Sequence, residues 1–248
     1  MLKLTVVGCG DAFGSGGRLQ TCYHVTSATG TFLIDCGATA MIGMHALGLD
    51  PDNVDTVVLS HLHGDHYAGL VWWLIHAHHV TRRAHPMTIV GPAGTAERLE
   101  VASEALFPGS WGIPRRFSLE IIEFDAGDEL DVGGLRVTPF EGRHPSGSLS
   151  AALRIGVDDK TIAYSGDTEW VEALVPCASG ADLYISECYG FDAGVPYHMN
   201  WQVISKNLDR LGAKRVMLTH MNNSMLERSG EISHPSVFLA EDGLVVEI

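Results

Sequence analysis

Ser60-His61-Leu62-His63-Gly64-Asp65-His66 places three imidazoles and a carboxylate within a few positions, in the order His-x-His-x-Asp-His. The stretch follows an apolar run over residues 54–59 that reads as a buried strand. It precedes residues 67–79, whose apolar positions suit a helix. A turn between those elements points several imidazoles and one carboxylate at a common spot. Both groups are good ligands for zinc and other first-row divalent cations. A merely solvated turn would need four such groups to coincide.

Outward from this turn, residues 2–7 alternate like a half-buried strand and run into a glycine-rich segment. Its glycines at 8, 10 and 14 miss the G-x-G-x-x-G spacing and no helix pattern follows, so a turn at a site rim fits better than a dinucleotide loop. Arg18 is there either an anion contact or a solvated side chain. Residues 31–37 read as a strand ended by glycine, and 38–48 as a helix. Strands are expected at 87–91, 119–123 and 134–141, the last ending at Gly142-Arg143-His144, with a helix over 94–106. Two short strands, 149–155 and 160–164, lead to Ser165-Gly166-Asp167-Thr168. A helix over 169–175, a strand over 181–186 and an amphipathic helix over 199–211 follow. A strand over 214–219 delivers His220, and 243–248 closes the chain. Strands in two batches, each interleaved with helices, predict an α/β four-layer αββα sandwich rather than a doubly wound parallel sheet, in a single domain over 1–248.

With 248 residues, 46% of them hydrophobic, the chain has ample material for a core. Its formal charge of −14 disfavours a nucleic-acid partner, because phosphate binding leans on Lys and Arg. Five cysteines without a C-x-x-C pair argue against a disulfide framework and for a reduced, cytoplasmic setting. No leader pattern opens the chain, and no apolar run approaches the ~18 residues of a membrane span. His76, His78, His79 and His85 are loosely clustered but match no ligand spacing. Trp72 and Trp73 read as core or interface aromatics. Arg82, Arg83, Arg115 and Arg116 are either solvated or steer an anion.

Taken with the strand-end residues His144, Asp167 and His220, the histidine-rich turn resembles the signature of the metallo-β-lactamase-fold hydrolases over most of the chain. The resemblance implies two divalent metal ions. His61, His63 and His144 would hold one, Asp65, His66 and His220 the other, with Asp167 bridging. Asp35 would orient the turn by hydrogen bonds rather than bind metal. Zinc is the expected metal, and the N and O ligands also admit manganese or iron. True metallo-β-lactamases commonly use a cysteine near the second metal where this chain offers Asp167, which points to the phosphodiesterase and thioesterase branches.

Glu187, after a buried strand, and His198 beyond it resemble the Glu–His pair of the ribonuclease Z-like branch. There the histidine contacts phosphoryl oxygens or protonates the leaving group, and the glutamate fixes it. A helix-start histidine with a local hydrogen bond is the competing reading of His198. Transfer-RNA processing members carry a long RNA-gripping arm between the third histidine and the bridging aspartate, where this chain has only two short strands. The expectation is a dinuclear hydrolase of a small cyclic phosphodiester. A metal-bridging hydroxide would attack, with Asp65, His198 and Glu187 as catalytic groups. Hydrolysis of a carboxylic ester, lactone or thioester at the same site is the alternative. A tRNA 3′-processing ribonuclease and a di-iron oxidoreductase rank behind. The expected partners are a small-molecule substrate and a second copy of the chain in a homodimer, with neither nucleic acid nor membrane.

Overall fold

The computed structural model describes residues 2–248. In chain order the strands are β1 (Lys3–Gly8), β2 (Cys22–Thr26), β3 (Thr31–Ile34), β4 (Thr56–Val58), β5 (Met87–Pro92), β6 (Leu119–Phe124) and β7 (Leu130–Val132). Then come β8 (Leu135–Glu141), β9 (Ala151–Val157), β10 (Lys160–Tyr164), β11 (Leu183–Glu187), β12 (Val216–Thr219), β13 (Val237–Leu239) and β14 (Val245–Glu247). They form two mixed sheets, ordered β14-β1-β2-β3-β4-β5-β6 and β13-β12-β11-β10-β9-β8-β7. Residues such as Leu4, Tyr23, Ile34, Leu153, Tyr164 and Ile185 fill the space between the sheets.

Helices α1 (Ala40–Ala46), α2 (Gly64–Tyr67), α3 (Gly69–His79) and α4 (Thr95–Leu106) lie on the first sheet, and their apolar faces join Leu33, Val57 and Ile89 in a second core. Helices α5 (Leu174–Ala178), α6 (Trp201–Leu211) and α7 (Asn223–Glu227) cover the other sheet around Tyr184 and Leu218. Each fully buried aliphatic side chain contributes roughly 1.5–3 kcal/mol. The four-layer αββα arrangement is the one expected. Among the described residues, no helix is long and apolar enough to cross a membrane.

Strand direction positions the site. β3 and β4 are parallel, as are β10, β11 and β12, while β8 and β9, and β9 and β10, are antiparallel. β8 therefore runs with β10, and the residues that follow β8, β10, β11 and β12 all emerge at one edge. The residues after β3 and β4 emerge together at an edge of the facing sheet, and the segment after β4 joins the first group directly: Ala151 N donates to Ser60 O at 3.0 Å.

Several elements differ from expectation. Strands β2, β7 and β13 and helix α7 are not legible in the pattern; β2 is buried over Cys22 to Val25, so it shows no alternation. The helix expected over 169–175 starts only at Leu174. Glu169 instead pairs with Arg143 at 3.1 Å, and its N–H donates to Arg143 O, so this segment braces the His144 loop. All five cysteines are buried and unpaired, and burial pushes the thiols of Cys36 and Cys177 up to about 12.

Arg83 is not a steering group. It is 1% exposed, donates to the carbonyls of Asp52, His85 and Pro86, and lies over the ring of Trp73 at 5.2 Å. Trp73 is likewise core, with its Nε1 donating to Pro51 O at 3.1 Å, so it cannot serve an interface. Arg18 is committed too, donating to Ala240 O at 2.8 Å. Replacing Arg83 by Met strands three carbonyls and removes the stacked cation. Urea unfolding should show a loss on the order of 3 kcal/mol.

Candidate metal centre

Asp35, directly after β3, is fully buried and adopts the left-handed conformation at φ 57°. Its Oδ1 accepts from Ser60 N, and its Oδ2 accepts from Ser60 Oγ and His66 Nδ1, each at 2.7 Å. Because the Ser60 hydroxyl proton goes to Asp35, its oxygen is left to accept from His61 Nδ1 at 3.1 Å. One carboxylate thus fixes both ring tautomers and leaves each Nε2 with a lone pair, the form a metal needs. Gly37 lets the Asp35 segment pack under the turn; a Cβ there would lie 2.3 Å from Asp65 O. The turn is partly helical: His63 caps α2, which carries Asp65 and His66.

His144, beyond β8, donates from Nδ1 to Tyr197 O at 3.1 Å, which turns its Nε2 toward His63 Nδ1, 3.0 Å away. His220, at the end of β12, is held at φ 55° by its N–H on Cys9 O at 3.0 Å. Asp167 Oδ2 lies 3.2 Å from His220 Nε2, 3.4 Å from His66 Nε2 and 4.0 Å from His61 Nε2. Three overlapping groups that could hold a metal ion result: His61, His63 and His144; Asp65, His66, Asp167 and His220; and His144, Asp167 and His198; in each, the candidate ligand atoms lie within 4.8 Å of one another. All seven residues expected from the sequence come together, with Asp167 in the second and third groups.

Burial opposes ionisation of Asp65 and Asp167, yet the imidazoles around them hold both well below the usual carboxylate range. Burial lowers His61, His144 and His220, which keeps these rings neutral and able to ligate. Burial also opposes charge on His66, but Asp167, Asp65 and Asp35 outweigh it and hold the ring well above its usual range. That anionic field would equally attract a cation. His61 Nε2, His66 Nε2, Asp167 Oδ1 and His220 Nδ1 are buried without a hydrogen-bond partner. Orphaned polar atoms are uncommon in a folded interior, and these four lie in one cluster whose chemistry fits divalent metal.

His198 and Glu187 stand beside the cluster, with His198 Nδ1 2.8 Å from Glu187 Oε2. Glu187 is fully buried, and its other oxygen accepts from Thr168 N. The His198 ring stacks on Tyr189 at 4.6 Å between centroids and lies parallel to His220 at 5.8 Å. His76 and His78 lie outside these groups, and His85 pairs with Asp52 and Asp55. The roles of Tyr197 O, Cys9 O and the Tyr189 ring carry no sequence signal, since two of them act through backbone carbonyls. Asp35→Asn would disturb both tautomers at once. Metal titration should show affinity reduced by about 10–100-fold, with the fold kept by circular dichroism.

A model of the β-lactamase superfamily domain matches residues 31–221. The chain is 28% identical over 242 residues to a ribonuclease Z of Mycobacterium bovis, covering 89% of this chain and 86% of that one. It is 24% identical over 258 residues to the probable metallo-hydrolase YhfI of Bacillus subtilis, covering 99% and 100% of the two chains. The crystal structure of YhfI superposes with a TM-score of 0.81 at 23% identity, over 99% of this chain and 98% of that one. A diphosphatase from the PhnP family superposes with a TM-score of 0.79 at 19% identity, over 100% and 98%. With its His/Asp cluster able to bind metal and its two sheets between helical layers, the chain belongs to the β-lactamase superfamily.

Proposed function

We propose that this metal-dependent hydrolase is a dinuclear phosphodiesterase acting on a small, cyclic phosphodiester. His61, His63 and His144 would hold one ion, Asp65, His66 and His220 the other, and Asp167 would touch both, with zinc the favoured metal. When bound, the ions supply Lewis acidity toward phosphoryl oxygen and lower the pKa of water. The other steps belong to the chain. Asp65, ionised beside His66, orients the attacking water. His198 holds a proton for the departing oxygen, and Glu187 aligns the ring through Nδ1.

The observation that carries this reading is the buried Glu187 carboxylate, 2.8 Å from His198 Nδ1 at the edge of the cluster. Burial opposes charge on His198, but the hydrogen bond and charge of Glu187 raise its pKa. Burial pushes Glu187 itself up to about 8, so the pair keeps a proton near neutrality. One ring nitrogen of His198 lies within 4.8 Å of the ligating atoms of His144 and Asp167, within reach of a group bound there. A positioned acid beside a metal cluster suits departure of an alkoxide from phosphorus. The short interval between His144 and Asp167, filled by β9 and β10, supports a small substrate over transfer RNA. The reading takes 1–248 as one domain, supported by β1 and β14, from opposite ends of the chain, pairing in one sheet.

His198→Ala should lower kcat by about 10²–10⁴ with metal content unchanged; unchanged turnover removes His198 from the mechanism. Bis-p-nitrophenyl phosphate and cyclic nucleotides, assayed beside acyl esters and thioesters, decide the substrate class. Turnover of the acyl compounds alone would overturn the phosphodiesterase assignment. The same reading places a homodimer in the cytoplasm. Of Trp72 and Trp73, Trp72, 38% exposed on α3, is the one available to a partner. Light scattering should give twice the 26.7 kDa chain mass.

A further inference from the structure

The three-histidine group is assembled from two sheets. His61 and His63 follow β4 of the first sheet, and His144 follows β8 of the second. A side chain outside the ligand set joins them. Arg98, on α4, directs Nη1 at two carbonyls: Leu62 O, between the two turn histidines, at 3.1 Å, and Ser146 O, just past His144, at 3.0 Å. One guanidinium nitrogen therefore spans both ligand loops. The seat is shaped for it. Gly147 has φ 77°, and a Cβ there would fall 2.8 Å from Arg98 Nη2. Ser148 Oγ also ties this loop to Ala93 O, at the foot of α4. A planar cation with fixed N–H directions holds two carbonyls at a set separation, which a flexible ammonium does less well.

We propose that Arg98 is a positioning residue for the metal site, a strut that sets the gap between the His61/His63 turn and the His144 loop and so tunes the affinity of the ion those three histidines take. The proposal rests on the reading that His61, His63 and His144 hold metal. Arg98 does not touch the ion. It acts through the backbone of the residues flanking the ligands, where a small widening separates His144 Nε2 from His63 Nδ1, now 3.0 Å apart.

The test is titration of metal-free protein with zinc against a chromophoric chelator, which reads each binding step without any substrate. Wild type, Arg98→Met, Arg98→Lys and Gly147→Ala are compared, with folding checked by circular dichroism and thermal melting. Arg98→Met should weaken one of two zinc steps by about 10–100-fold, the range for lost outer contacts of a metal site, and leave the other step alone. Arg98→Lys should recover part of that loss. Gly147→Ala, which leaves Arg98 in place but crowds its guanidinium, should weaken the same step and serves as the probe should Arg98→Met not fold. His61→Ala identifies that step by abolishing it. Two zinc steps of wild-type affinity in folded Arg98→Met or Gly147→Ala overturn the strut while leaving the metal assignment standing. A wild-type protein that takes up no zinc, or a His61→Ala variant that keeps both steps, overturns the metal assignment and the strut with it.

Discussion

The buried carboxylate of Asp35 is the constraint on which the rest of the site depends. A charged group with no solvent contact is costly unless its oxygens are satisfied. Here three donors at 2.7 Å satisfy them, and all three belong to the histidine-rich turn. Satisfying the charge and shaping the turn are therefore one act. The backbone follows: Asp35 accepts a left-handed φ that a non-glycine residue avoids, at a cost of order 1–3 kcal/mol. Cys36 N donates to His66 O and Gly69 N to Cys36 O, so β3 and α3 close around the turn from both sides.

The same logic recurs on the second sheet. His220 is strained at φ 55° and anchored through its N–H to Cys9 O, while Thr219 Oγ1 and Tyr23 OH pair at 2.6 Å beneath it. Tyr197, at φ 67°, presents the carbonyl that orients His144. Residues held at positive φ in three separate segments, Asp35, Tyr197 and His220, thus fix the rings of the cluster. Bringing several imidazoles and ionised carboxylates together with orphaned atoms conflicts with ordinary core packing. Such conflicts concentrate where a protein binds something.

How much of this was legible in the sequence follows from where each interaction lives. The His-x-His-x-Asp-His turn announces itself because its ligands are neighbours in the chain. The strands that deliver His144, Asp167 and His220 show in their apolar runs, but that their ends meet is a property of sheet order, which in the sequence only the family resemblance implies. The Glu187–His198 contact likewise needed that resemblance. What stayed hidden are contacts between distant segments: Arg98 bridging two loops, Tyr197 O and Cys9 O acting through the main chain, and Arg83, whose neighbour Arg82 made it look like surface. The helix expected over 169–175 failed for a related reason. Its residues favour a helix locally, but Glu169 is drawn to Arg143 and Tyr197, and the tertiary pairing prevails over propensity.

The fate of the arginines bears on what can approach the site. Binding a long polyanion releases counterions only where basic side chains are free to meet successive phosphates. In this chain Arg18, Arg83, Arg98 and Arg154 spend their donors on backbone carbonyls, and Arg228 spends its donors on Asp192 and Glu231. The −14 charge adds a repulsive background that grows with the length of an anionic ligand. A small phosphodiester escapes both penalties. It needs no basic track, carries little charge to be repelled, and would meet its attraction locally, in metal bound by the histidine and aspartate cluster. The acidity of the chain and the phosphodiester reading are therefore compatible, provided the recognised anion is no larger than the cluster that neutralises it.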